Sequence, residues 1–195
     1  IEQAAKHFDN TAVISEGNPY TYSELLSASE IFATTLLSLA GKHNLEEAPI
    51  AFMVDPGFDY VKVQWGIWRA GGVAVPLALS HPLASLKYTL EDTKASIIVA
   101  SHEYKQRLES LAKELNIKLL ILGDEVTSKA ELPAIDSDRR AMILYTSGTT
   151  NLPKGVVITH KNIEAQVTTL VEAWQWSKGD HILCVLPLHH VHGIV

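Results

Sequence analysis

A chain of 195 residues with 47% hydrophobic content is long enough to bury a substantial core as one or two domains. Its 22 acidic residues outnumber 16 Lys and Arg, for a formal charge of −6, and no basic run marks a nucleic-acid or membrane-surface patch, which argues against nucleic acid as a partner. No run of ~18 apolar residues suited to membrane insertion and no signal-peptide pattern is visible, and the single cysteine, Cys184, cannot close an internal disulfide and fits a reducing, intracellular compartment.

The predicted elements alternate between strand and helix, which is the pattern of a parallel or mixed sheet wrapped by helices. Thr21-Tyr-Ser-Glu24 has the form of a capping box and opens a helix to about Gly41. Pro49 to Val54 reads as a buried strand, with Asp55 as N-cap and Pro56 as first residue of the next helix. That helix runs to Arg69 or Ala70 with Gly71 as its C′ residue, and Val73 to Pro76 is a short strand. A helix over Leu83 to Thr93, a strand over Ser96 to Ala100, a helix over His102 to Leu115 and a strand over Ile117 to Leu122 follow. Residues 123–138, rich in acidic, Ser and Pro positions, read as a surface connection. Arg139 to Tyr145 and Gly155 to Thr159 are predicted strands, His160 to Trp176 a helix, and His181 to Leu186 a last strand holding Cys184 as a packed residue. No internal repeat or low-complexity tract interrupts this order.

Between two of those strands lies the segment with the most chemical content. Four hydroxyls (Thr146, Ser147, Thr149, Thr150), two glycines (Gly148, Gly155) and one lysine (Lys154) fall within residues 146–155, directly after the apolar run Ala141 to Tyr145. A polyphosphate needs inward-turned backbone N–H groups, hydroxyl donors and a cation, and this composition supplies all three. Glycine allows close backbone approach, Pro153 stiffens the chain before Lys154, and the ammonium acts as a point charge. A Walker A loop places its lysine after the second glycine, whereas Lys154 precedes Gly155, so an ordinary P-loop is disfavoured. Seen alone, such a segment also fits a plain surface turn. A hydrolase nucleophile at Ser147 is disfavoured by the absence of G-x-S-x-G and of a paired base nearby. The loop leaves the carboxyl end of a strand, where open α/β sheets bind ligands.

Tyr145-Thr-Ser-Gly-Thr-Thr-Asn-Leu-Pro-Lys-Gly155 closely resembles the signature loop of the adenylate-forming superfamily, which includes the AMP-forming acyl-CoA synthetases; the family's usual glycine after the second threonine is Asn151 here. Asparagine tolerates left-handed backbone better than other non-glycine residues, so the departure bears on loop stability rather than on chemistry. Trp65-Gly-Ile-Trp-Arg-Ala-Gly-Gly-Val-Ala-Val-Pro-Leu77 is similar to the family's second core motif, and Leu186-Pro-Leu-His-His-Val-His-Gly193 to the segment lining its acyl pocket. Within the superfamily, the double histidine followed by Val-His-Gly, with the stretch Val167 to Trp176 before it, is most similar to malonyl-CoA synthetases.

The resemblance implies an α/β fold, the N-terminal portion of the acyl-CoA synthetase large domain, with mostly parallel sheet flanked by helices. Residues 1–195 are expected to be part of the N-terminal, AMP-binding domain of a longer enzyme, with the C-terminal domain outside this chain and the 195 residues inactive by themselves. It also implies ATP, Mg²⁺ and coenzyme A acting on a small carboxylic acid, with the cytoplasm as location for a bacterial source and the mitochondrial matrix for a eukaryotic one. Thr146, Ser147, Gly148, Thr149, Thr150, Lys154 and Gly155 are expected to cradle the phosphates, with Lys154 and Thr149 acting in catalysis. His190 is expected beside the carboxylate and the adenylate, with His192 sharing the task. Malonate is the acid this resemblance favours, and a synthetase for another short or medium carboxylic acid and a catalytically silent nucleotide-binding module both stay open.

The remaining side chains carry plainer readings. His189, His190 and His192 invite a metal, but no cysteine or H-E-x-x-H pattern completes a ligand set, and a structural role for the histidines stays open. Trp65, Trp68 and Arg69, and likewise Trp174 and Trp176, are read as packing residues on helices, Tyr145 as filling space beneath the loop, and residues 103–114 as a solvated helix face.

Overall fold

The protein's structure is a computed structural model that describes residues 1–126, 130–146 and 152–194. The chain opens with a 3₁₀ turn at Ala4–Lys6 and an antiparallel hairpin of β1 (Thr11–Ser15) and β2 (Asn18–Thr21). Glu16 and Gly17 both have positive φ, 53° and 79°, the requirement of the two-residue turn whose twist matches a hairpin. Helix α1 (Tyr22–Ala40) then starts at the expected capping box, with Thr21 Oγ1 accepting from the Glu24 N–H and the Glu24 carboxylate accepting from the Thr21 N–H at 2.7 Å. It ends on Gly41 in the left-handed conformation.

The main sheet has six strands in the order β6-β5-β3-β4-β7-β8. β3 (Pro49–Met53), β4 (Val73–Pro76), β5 (Ile97–Ala100), β6 (Lys118–Ile121) and β7 (Arg140–Thr146) run parallel, and β8 (Lys154–Thr159) is antiparallel to β7. Between them lie α2 (Phe58–Arg69), α3 (Leu83–Thr93), a 3₁₀ turn at His102–Tyr104 leading into α4 (Lys105–Glu114), then α5 (His160–Trp174) after β8, and a short α6 (Val191–Ile194).

Alternation along the strands divides the core into two layers. Ile50, Phe52, Ile97, Val99, Met142 and Leu144 face Phe32, Leu36, Val63 and Ile67 of α1 and α2. Ala51, Met53, Ile98, Ala100 and Ile143 face Leu86 and Leu90 of α3 and Leu108 and Leu111 of α4. Both faces of the parallel strands are covered, so these strands read as continuous apolar runs. Each fully buried Leu, Ile or Phe contributes about 1.5–3 kcal/mol of burial free energy. Trp68 closes one layer, with its indole N–H donating to the Ala141 carbonyl at 2.7 Å.

Four expectations need correction. Asp55 does not cap α2: the N-cap is Gly57, and the Asp55 carboxylate instead accepts from the Tyr104 hydroxyl at 2.7 Å. Residues 181–186 form no strand, because no described neighbour offers a ladder to them, and Leu183 is 84% exposed. Cys184 is exposed rather than packed. Trp174, at the end of α5, and Trp176, just beyond it, lie with ring centroids 5.4 Å apart and are both exposed, and α5 has no buried residue. Trp65 and Trp68 do pack against the core, and half-buried Arg69 ties α2 to α1 through the Ser29 hydroxyl and Glu30.

The parallel strands share one carboxyl edge. The connection leaving β4 returns to β5 on one side of the sheet, and that leaving β7 goes to β8 on the other. The crevice outside the ends of β4 and β7 is therefore the switch point of the sheet, the standard ligand position in open α/β architectures.

Candidate functional site

The loop of residues 147–153 joins β7 to β8 at that switch point. Ser147, Gly148, Thr149, Thr150 and Asn151 lie outside the described residues. What is described is how the loop is held at its ends. Thr146 and Lys154 are register partners in the antiparallel ladder, and the Thr146 hydroxyl donates to the Lys154 carbonyl at 3.5 Å. Both side chains are exposed. One step inward, Tyr145 pairs with Gly155. A Cβ at 155 would stand 2.9 Å from Ile143 Cγ2 and 3.2 Å from Tyr145 Cζ, so this glycine makes room for the tyrosine.

Tyr145 does more than fill space. Its hydroxyl donates to Asp92 Oδ2 at 2.5 Å, and its ring meets that of Tyr88 edge-on at 6.3 Å. Burial, reinforced by the Asp92 carboxylate, pushes the Tyr145 phenol above its usual range, so the hydroxyl stays a donor. Tyr88, one turn before Asp92 on α3, donates its own hydroxyl to the Pro153 carbonyl at 3.1 Å.

The histidine segment arrives from the other side. Tyr60 of α2 is buried and donates its hydroxyl to the Leu188 carbonyl, which seats the segment over the core. Local turns continue it into α6, with the His190 N–H on Pro187 O at 3.2 Å and the Gly193 N–H on His190 O at 3.0 Å. His189 and His190 lie with ring centroids 4.2 Å apart, and His81, from the connection after β4, stands 6.0 Å from His189. Burial lowers the His189 pKa, and the neighbouring His190 and His81 lower it further, which favours the neutral imidazole at pH 7.

Between the end of the β7–β8 ladder and the histidine segment lies an open cavity of about 550 Å³. Its walls include Leu144, Tyr145 and Thr146 of β7, Val156 and Ile158 of β8, and His189, His190 and His192. Of the residues expected to act, Thr146, His190 and His192 thus line one space, while Lys154 and Gly155 are the ladder partners of Thr146 and Tyr145 and are not among its walls. Among the described residues, no group of three or more His, Cys, Asp or Glu is arranged to hold a metal ion. Among the described residues of this wall, the Thr146 hydroxyl is a side-chain oxygen that would fit a Mg²⁺ ion carried chiefly on nucleotide phosphates rather than in a protein cage.

His81, Tyr88 and Asp92 were not singled out from sequence as site residues. Tyr88 and Asp92 share a helix face by their spacing, but nothing local shows that this face looks at a loop some sixty positions later.

A family model described as AMP-binding enzyme matches residues 1–195. Among curated proteins, the mitochondrial malonate–CoA ligases of Mus musculus and Homo sapiens are 44% and 43% identical over 197 residues, each alignment taking in 96% of this chain and 34% of the relative. A malonate–CoA ligase of Arabidopsis thaliana is 33% identical over 219 residues, with 100% of this chain and 36% of that protein aligned. The chain therefore spans about a third of the length of the curated relatives it matches. Among solved structures, ATP-bound MatB from Rhodopseudomonas palustris superposes with a TM-score of 0.82 at 24% identity over 98% of this chain and 40% of that one. The o-succinylbenzoate CoA synthetase of Bacillus subtilis, in complex with its acyl-adenylate intermediate, superposes with a TM-score of 0.86 at 22% identity over 98% of this chain and 50% of that one. At that identity both show the fold, the helix-flanked and mostly parallel sheet. Matched along its whole length by the family model, the chain belongs to the AMP-binding enzyme family.

Proposed function

We propose that this chain is part of the N-terminal, AMP-binding domain of an ATP-dependent, AMP-forming acid–CoA ligase whose acid is malonate. The observation that carries the reading is the cavity shared by Thr146, where the hydroxyl-rich loop leaves β7, and by His190 and His192. The Thr146 hydroxyl is suited to a phosphate oxygen, and the imidazoles are suited to a carboxylate.

In the first step a carboxylate oxygen attacks the α-phosphorus of ATP, the bond to the β-phosphate oxygen breaks, and pyrophosphate leaves. Thr146, Ser147, Gly148, Thr149, Thr150 and Gly155 receive the β- and γ-phosphates, while Lys154 and Thr149 stabilise the charge that grows on them. Mg²⁺ bound with the nucleotide offsets further phosphate charge. In the second step the thiolate of coenzyme A attacks the acyl carbon, AMP departs with the bridging oxygen, and the thiol proton passes to solvent. His190, with His192, holds a carboxylate of the acid. Malonate has a second carboxylate for this pair, and support for that choice comes from the malonate–CoA ligases among the relatives. A bacterial source points to the cytoplasm, and a eukaryotic source to the mitochondrial matrix, as in the mitochondrial relatives.

The test is acid-dependent ATP–pyrophosphate exchange by the full-length enzyme with malonate, methylmalonate, acetate and longer acids, alongside Lys154→Ala. Exchange led by malonate and reduced about 100-fold or more in the variant is expected. Exchange led by another acid discards malonate and keeps the ligase. No exchange by folded protein that still binds ATP leaves a silent nucleotide-binding module.

A further inference from the structure

We propose that Tyr88 and Asp92 of α3 are positioning residues that hold the loop of residues 147–153 from outside, through Pro153 and Tyr145, so that Lys154 enters the site in one orientation. The inference rests on the nucleotide reading of that loop and adds residues to it.

The geometry points to two anchors made by one helix face. Tyr88 Oη donates to Pro153 O at 3.1 Å, and Asp92 Oδ2 receives the Tyr145 hydroxyl at 2.5 Å. Tyr145 stands on the strand that enters the loop and Pro153 on the segment that leaves it, so α3 touches both stems. The two tyrosine rings meet edge-on at 6.3 Å, which joins the anchors into a single wall.

The bond at Pro153 acts on Lys154 directly. The Pro153 carbonyl and the Lys154 N–H belong to one planar trans peptide and point in opposite directions. Holding the carbonyl on Tyr88 therefore sets the direction of the Lys154 N–H, and the ladder with Thr146 holds the residue from the other side. Proline supplies no N–H of its own at this point, so its carbonyl is the group by which the turn can be held. Across the ladder, Gly155 leaves the space that Tyr145 needs to reach Asp92. Stems anchored before the nucleotide arrives lower what binding must supply.

The experiment uses the full-length enzyme as wild type, Tyr88→Phe, Asp92→Ala and Asp92→Asn, the last retaining an amide oxygen that accepts from Tyr145. The first readout is trypsin nicking at the Lys154–Gly155 bond, which reports local opening of the loop stem independently of activity. The second is the split of ATP KM against acid KM in pyrophosphate exchange. Faster nicking and an ATP KM raised about three- to tenfold in Tyr88→Phe and Asp92→Ala, with acid KM unmoved and Asp92→Asn near wild type, is the expected result. Unaltered nicking in Tyr88→Phe overturns the proposal, even where its unfolding midpoint falls, because that pattern reports a merely structural side chain. An unaltered ATP KM in an active Tyr88→Phe enzyme overturns it as well. If the wild type shows no exchange with any acid, the ligase reading fails, and the nicking rates alone decide whether α3 anchors the loop.

Discussion

Tyr145 and Gly155 face each other across the β7–β8 ladder, and the tyrosine ring occupies the space in which a side chain at 155 would stand. Glycine in this position serves the packing of a neighbour. Gly155→Ala would set a methyl 2.9 Å from Ile143 Cγ2, a buried atom with little freedom to retreat, and 3.2 Å from Tyr145 Cζ. The variant is expected to lose about 1–3 kcal/mol of stability, read as a lowered denaturant midpoint at unchanged m-value.

At Gly66, within α2, two effects compete. Alanine raises helix propensity by about 1 kcal/mol, but its Cβ would stand 2.6 Å from Phe32 Cδ1 and 3.1 Å from the Ser29 carbonyl. Phe32 is fully buried and the Ser29 carbonyl is backbone of α1, so neither yields cheaply. Overpacking is expected to win, with Gly66→Ala destabilised by about 1–2 kcal/mol net in chemical unfolding.

Burial, with the nearby Arg139 guanidinium adding to it, lowers the pKa of His160, whose ring sits 5.6 Å from that of Trp68. A folded-state pKa below the unfolded value of about 6.5 means that the unfolded chain binds the extra proton first. The stability tied to neutral His160 is therefore complete above about pH 6.5 and declines as pH falls through the lower, folded pKa. His189 acts in the same direction. Denaturant midpoints measured between pH 7.5 and 5 should fall, and His160→Gln should fall less steeply; equal slopes would remove His160 from the explanation.

His190 and His192 line the cavity with Thr146. On the ligase reading, His190→Ala removes a hydrogen bond to a charged carboxylate, worth about 1.5–3 kcal/mol, so the KM for malonate should rise about tenfold or more while that for ATP holds. Steady-state exchange kinetics with each substrate varied in turn provide the check. A change confined to ATP would reassign the histidine to the nucleotide.

The elements legible beforehand are those whose signals are local. The capping box at Thr21 and Glu24, the end of that helix near Gly41, the helix over Leu83–Thr93 and the apolar strands each rest on neighbours a few positions away. The N-cap of α2 was misread because Asp55 had a stronger partner, Tyr104, far away in sequence. Residues 181–186 and the two tryptophans near the end of α5 were misread for a related reason: an apolar run becomes a strand or a packed face only when something lies against it.

The α/β alternation, the hydroxyl-rich loop after β7 and the histidines after residue 188 are legible in the chain alone, because strand and helix periods and glycine and proline geometry are written in short stretches of residues. The placing of β7 beside β4 at the switch point, the cavity that His190 and His192 share with Thr146, and the reach of Tyr88 and Asp92 to Pro153 and Tyr145 come from long-range packing. Those are meetings between residues tens of positions apart, set by sheet order and by the packing of α2 and α3 on opposite faces of the sheet. No local preference carries that information.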